Sequence, residues 1–75
     1  MFGYSFLEPV TCHRYYLFST GTSLKPKYYN SRAEANHAMY AYCVKHGIQV
    51  DCVEDCKHEK AYSDHHGVNF YINRV

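Results

Sequence analysis

The segment from Tyr28 to Gly47 constrains the fold more than any other part of this sequence, because it carries both a start and a stop signal for one helix. Ser31 and Glu34 have the spacing of a capping box, in which each side chain accepts a hydrogen bond from the other residue's backbone N–H. Gly47 has the position of the left-handed residue that follows a helix, and the turn before it is basic, which the helix dipole favours. The sequence therefore predicts a helix over residues 32–46.

Small and apolar side chains of this helix recur at the i, i+3, i+4, i+7 spacing that is typical of a buried helix face. The predicted buried stripe consists of Ala35, Ala38, Met39, Tyr42, Cys43 and His46. A helix of this length spans roughly 22 Å, which is enough to cross a sheet of four strands.

Segments rich in β-forming residues flank the helix on both sides. Before the helix, the sequence predicts strands in Phe2–Leu7 and Thr11–Ser19 and a short extended segment in Lys25–Tyr29. After it, strands are predicted in Ile48–Val53 and Val68–Val75, and residues 54–67 between them are predicted to be a long polar connection.

Strands on both sides of one helix predict an α+β fold, in which the helix lies across one face of a mainly antiparallel sheet. We expect a single domain over residues 1–75, with four to five short strands in the order β-β-(β)-α-β-β. The last strand has the clearest alternation and points Phe70 and Ile72 inward. The predicted core consists of Ala35, Ala38, Met39, Tyr42, Cys43, Ile48, Val50, Cys52, Val68, Phe70 and Ile72.

The charge of this chain is small in total but unevenly placed. A net charge of +1 excludes a uniformly acidic DNA mimic and a general polyanion binder. Residues 9–33 contain four bases and no acid, whereas residues 34–64 contain six acids and three lysines. The sequence therefore predicts a dipolar surface.

No segment of the sequence has the length and apolar character of a membrane span. The beginning of the chain, MFGYSFLEPV, lacks the basic region and the small-residue cleavage site of an export signal. We therefore expect a cytoplasmic protein with no membrane partner, whose cysteines are reduced thiols.

The many Cys and His residues raise the question of a zinc site. Candidate ligands are Cys52, Cys56, His58, His65 and His66, but no pair has the C-x2-C spacing that structural zinc sites commonly use. Cys52 also falls on the predicted buried strand face, where a free cysteine packs as a small hydrophobic residue. We expect no metal and no other cofactor.

Catalytic signals are equally weak. Asp64-His65-His66 spells a motif of metal-dependent phosphoesterases, but the further Asp and His clusters of such enzymes are absent from this short chain. For nucleophilic catalysis, Cys56 with His58 or His65 is the only conceivable pair, and it lies in the predicted connection. A cleft that excludes water is difficult to build in a domain this small. We expect no enzymatic activity.

Cations and stackable rings alternate through a basic tyrosine-rich stretch. It consists of Arg14, Tyr15, Tyr16, Lys25, Lys27, Tyr28, Tyr29 and Arg32. Cations for phosphates and rings for bases are the chemistry of single-stranded nucleic acid or nucleotide binding. Tyr and Arg equally dominate protein interfaces. A third alternative is that half of these tyrosines are core residues and the charges form a solvated edge.

Three acidic residues after the predicted helix distinguish nucleic-acid binding from protein binding. Asp51, Glu54 and Asp55 would repel phosphates, but they can bind the basic nucleic-acid channel of another protein. We therefore expect these acids to be binding residues together with Arg14, Tyr15, Tyr16, Lys27, Tyr28, Tyr29 and Arg32.

The segments YYNSRAEANHAMYAYCVKHGI and GVNFYINRV resemble small proteins carried by bacteriophages and prophages, a loose class that includes anti-CRISPR and other counter-defence proteins. The resemblance covers the C-terminal two thirds of the chain and carries over no functional residue. It implies an inhibitor that acts by surface binding to a host nucleoprotein defence complex. The alternative is direct binding of single-stranded nucleic acid or a nucleotide signal through residues 14–32, and the small size is also compatible with a homodimer.

Overall fold

The helix begins and ends where its capping residues predict. A computed structural model describes residues 14–75, and in it α1 spans Arg32–His46. Ser31 has an extended backbone, and its Oγ accepts a hydrogen bond of 3.1 Å from the backbone N–H of Glu34. Gly47 ends the helix with a left-handed φ of 67°. The predicted helix is therefore confirmed.

Within residues 14–75, five antiparallel strands form one sheet beside this helix. They are β1 Tyr15–Thr20, β2 Lys27–Tyr29, β3 Asp51–Asp55, β4 Glu59–Ser63 and β5 Asn69–Arg74. The order across the sheet is β2-β1-β5-β4-β3, and α1 packs against β1, β5 and β2. The predicted α+β fold, with a helix across one face of an antiparallel sheet, is confirmed.

The strands after the helix differ from the prediction, because three follow it rather than two. β4 lies within residues 54–67, for which the sequence predicts a long polar connection. Pairing with β5 and burial of Ala61 and Tyr62 hold this polar segment in the sheet in spite of its weak β-propensity. The strand predicted at Ile48–Val53 begins instead at Asp51, since residues 48–50 connect the helix to the sheet. The strand predicted at Phe2–Leu7 lies outside the described residues.

The core lies between α1 and the sheet face beneath it. Its buried members are Leu17, Ala35, Met39, Cys43, Tyr62, Phe70 and Ile72, and half-buried Ala38, Tyr42, Ile48, Val50 and Val68 pack against them. Cys52 and His46 are exposed, so the prediction that they are buried is wrong. Cys52 lies on edge strand β3, beyond the strands that α1 covers, and His46 lies in the last helical turn against the ring of Tyr42, 4.2 Å between centroids.

Gly21 is the described glycine at which an added Cβ would overlap neighbouring backbone. Its φ is 81°, and a Cβ there would overlap the backbone carbonyl oxygen of Gly67. Gly47 also has a positive φ, but a Cβ there meets open space. We expect Gly47→Ala to cost about 1–2 kcal/mol of unfolding free energy from backbone strain alone, and Gly21→Ala to cost more because backbone must move. Urea unfolding of both variants checks this, and equal losses would contradict it.

Candidate interaction surface

The register of the strands divides the side chains of the sheet between a face under α1 and an open face. Leu17, Phe70 and Ile72 are buried under the helix, so their neighbours along each strand point to the opposite side. We call that opposite side the open face. It consists of Tyr28 of β2, Tyr16, Phe18 and Thr20 of β1, Asn69, Tyr71 and Asn73 of β5, Glu59, Ala61 and Ser63 of β4, and Asp51 and Glu54 of β3.

Four rings of the open face form a continuous aromatic strip across β2, β1 and β5. The aromatic strip consists of Tyr28, Tyr16, Phe18 and Tyr71. Ring centroids are 4.8 Å apart between Tyr28 and Tyr16, 5.5 Å between Tyr16 and Phe18, and 5.0 Å between Phe18 and Tyr71, which are stacked. Tyr28 is 51% exposed, and the other three rings are half-buried. The strip therefore presents rings that are held in place by one another and remain accessible to planar groups of a partner.

The other half of the open face is acidic. Asp51, Glu54 and Glu59 are exposed, and the described strands contribute no Lys or Arg to this face. Asp51 Oδ2 lies 3.3 Å from His65 Nε2, a contact that becomes an ion pair when the imidazole is protonated. Rings and carboxylates therefore share one side of the sheet.

The sheet separates the tyrosines of the basic tyrosine-rich stretch. Tyr16 and Tyr28 belong to the open face, whereas Tyr15 and Tyr29 pack against the core on the helix side. Lys27 also lies on the helix side, with its Nζ 5.5 Å from the centroid of the Tyr29 ring. The rings of the open face thus do not share their side with this cation.

Arg32 is paired with an acid of the same chain. Its guanidinium donates a hydrogen bond to Asp55 Oδ1, and Lys60 Nζ lies 3.6 Å from Asp55 Oδ2. The hydrogen bond from Arg32, with the charges of both bases, lowers the pKa of the Asp55 carboxyl. Arg32 and Asp55 are both predicted binding residues, and the structure brings them together on the helix side. Arg14, another predicted binding residue, is exposed just before β1.

Phe18, Tyr71 and Glu59 belong to the candidate surface, although they are not among the binding residues that the sequence predicts. The alternation of β5 already points Tyr71 away from Phe70, and the same alternation places Phe18 beside Tyr16. What the sequence lacks is the register that joins β1, β5 and β4. Glu59 is found only once β4 is known to be a strand.

The described structure does not bring the candidate zinc ligands together. Among residues 14–75, no group of three or more His, Cys, Asp or Glu side chains is arranged to hold a metal ion. Cys43, Cys52 and Cys56 are free thiols. The Cys56 thiol donates to Glu54 Oε2 over 3.3 Å, which raises its pKa and opposes formation of the nucleophilic thiolate. The absence of a metal and of catalysis stays a prediction.

A hollow of about 500 Å³ lies where the end of α1 meets the loop before β5. It is lined by Gly47, Ile48, Gln49, Asp51, Asp64 and His66. The Asp64 carboxylate accepts hydrogen bonds from the backbone N–H groups of His66 and Val68, which lower its pKa. Asp64 therefore holds the loop before β5 through one carboxylate oxygen, Oδ1.

Comparisons with protein-family models, with curated proteins and with solved structures find no match to this chain. Within residues 14–75, no helix has the length and apolar character needed to cross a bilayer. Helix α1 has 15 residues and carries Arg32, Glu34 and Lys45.

Proposed function

We propose that this protein is a small cytoplasmic inhibitor that binds the basic nucleic-acid channel of a bacterial nucleoprotein defence complex through its open face. The observation that supports this proposal is that the aromatic strip and three exposed carboxylates lie on one side of the described sheet, to which its strands contribute no Lys or Arg. The resemblance to anti-CRISPR proteins directs the proposal to defence complexes.

The two parts of the open face have different roles in this binding. Asp51, Glu54 and Glu59 attract and orient a basic surface, because complementary charges steer the encounter of two proteins. The aromatic strip then supplies contact area, since Tyr rings dominate interface hot spots and Arg side chains stack on them. Neighbouring rings already restrict one another, so they lose little conformational freedom on binding. A channel occupied in this way excludes its nucleic acid.

The aromatic strip also favours a second function, the binding of single-stranded nucleic acid or a nucleotide signal. Rings on three neighbouring strands, about 5 Å apart, form a platform on which bases can stack. Such binding also needs cations for the phosphates. The described strands place carboxylates there instead, which is why a basic protein surface is the preferred partner.

A pull-down from a bacterial lysate that carries candidate defence systems tests the proposal, with and without nuclease. We expect a component of a nucleoprotein complex to remain bound after nuclease treatment. The purified complex is then expected to lose nucleic-acid binding when this protein is added. Substitution Tyr16→Ala with Tyr71→Ala should weaken that inhibition by about 30-fold or more, since hot-spot residues contribute at least about 2 kcal/mol.

The control is the double variant Lys27→Ala, Arg32→Ala, which changes two side chains on the helix side and none of the open face. We expect it to inhibit like the unaltered protein. Recovery of nucleic acid alone, abolished by the triple variant Arg14→Ala, Lys27→Ala, Arg32→Ala, would show instead that the protein binds nucleic acid directly through residues 14–32.

A further inference from the structure

The face of α1 that is turned away from the sheet is uncharged and partly apolar. Its exposed residues recur at helical spacing and form what we call the outer helix stripe: Ala33, His37, Tyr40, Ala41 and Val44. Val44 is 82% exposed, whereas Tyr40 lies at the margin of the stripe, 44% exposed, with its ring in edge contact with that of Tyr62 on β4, 5.7 Å between centroids. Small side chains among larger ones allow a second helix to approach this stripe closely.

Two opposite charges lie on the same flank of the outer helix stripe. Glu34 is in the first turn of α1 and Lys45 is in the last. With 3.6 residues per turn, both point roughly 85° to the same side of the centre of the stripe. Both are exposed, and neither forms an ion pair within residues 14–75.

We infer that the outer helix stripe is an interface between two copies of this chain, with the two α1 helices antiparallel about a two-fold axis. In such a pair the same flank of each helix comes together, because the interface uses one patch twice. Glu34 of each copy then lies beside Lys45 of the other, which gives two identical ion pairs. In a parallel pair the two-fold axis runs along the helices, so the charged flank of one copy lies on the opposite side from that of the other and neither ion pair forms. The placement of the charges therefore identifies an antiparallel second copy as the occupant.

Pairing through the edge strand β3 is the competing arrangement, and its charges oppose it. Two β3 strands side by side would bring the carboxylates of Asp51, Glu54 and Asp55 close to those of the other copy, which is destabilising.

Pairing through the helices leaves the open face of each copy free. Since α1 and the open face lie on opposite sides of the sheet, both open faces stay accessible in the dimer, so this inference does not rest on the proposed function.

Charge reversal tests the arrangement by sedimentation equilibrium at low salt. We expect Glu34→Lys and Lys45→Glu each to raise the dimer dissociation constant about fivefold or more, because each replaces two attractions by two repulsions. The double reversal should return it to within about twofold of the original value. Both reversals oppose the helix dipole, so the double variant would be the weakest dimer if association merely followed helix stability.

A matched pair of valine substitutions tests the stripe itself. Val44→Ser should weaken the dimer, whereas Val53→Ser, at a position on β3 that is 53% exposed, should not. Circular dichroism of each variant verifies that the fold is retained. A protein that stays monomeric up to about 1 mM, or a dimer that Val44→Ser and both single reversals leave unchanged, overturns the inference.

Discussion

Replacement of Phe70 by Ala is expected to lower the free energy of unfolding by about 3–5 kcal/mol, a large part of the stability of a small domain. Phe70 is fully buried under α1, and its ring makes an edge contact with that of Tyr42, 6.1 Å between centroids. Few neighbours can move into the cavity, because the buried cluster has only seven described members. Urea unfolding followed by circular dichroism measures the loss.

Phe18→Ala is the matched control for this prediction, since it makes the same substitution on the open face. Phe18 is half-buried and lies outside the core cluster. Its loss removes contacts with Tyr16 and Tyr71 but leaves no enclosed cavity. We therefore expect a clearly smaller cost. A cost equal to that of Phe70→Ala would contradict the assignment of Phe18 to an open face.

The helix could be predicted from the sequence because its signals are local. Ser31 caps the N-terminal end through a bond to a residue three positions later, and Gly47 ends the helix through its own backbone angle. The buried positions of α1 follow equally from spacing, since Ala35, Met39 and Cys43 recur every four residues. Each of these features depends on a few consecutive residues.

Strand β4 could not be predicted because its support is not local. EKAYS contains little that favours a strand by itself, and it pairs on one side with β5 and on the other with β3. The register also shifts at Val53, where β3 bulges between Cys52 and Glu54. Such a bulge turns Cys52 and Asp55 to the helix side, although alternation alone would separate them by face.

Only some residues of the candidate surface can be predicted from the sequence. Side-chain chemistry predicts Tyr16, Tyr28, Asp51 and Glu54 as binding residues, and the structure places all four on the open face. The division of the basic stretch between two faces could not be foreseen, because it depends on strand direction and register. Side-chain type identifies candidate binding residues, but the register between strands determines which of them lie on the same face.

Reversal of the open-face acids is expected to change the ligand that this surface binds. The variant Asp51→Lys, Glu54→Lys, Glu59→Lys places three cations on the side that carries the aromatic strip. We expect its affinity for a single-stranded oligonucleotide to exceed that of the unaltered protein by about 100-fold or more at low salt, since cations neutralise phosphates while bases stack on the rings. Inhibition of the nucleoprotein complex should be lost at the same time, because like charges then face each other.

Salt dependence distinguishes the contribution of the new cations from that of the rings. Three phosphate contacts, at about −0.7 each, predict a slope of about −2 for the logarithm of affinity against that of salt concentration. Adding Tyr16→Ala and Tyr71→Ala to the reversed variant should keep this slope but weaken binding, since each stacked base contributes about 1–3 kcal/mol. If the unaltered protein binds the oligonucleotide as tightly as the reversed variant, the carboxylates do not oppose phosphates. The preference for a basic protein partner is then wrong, and the aromatic strip is a nucleic-acid platform.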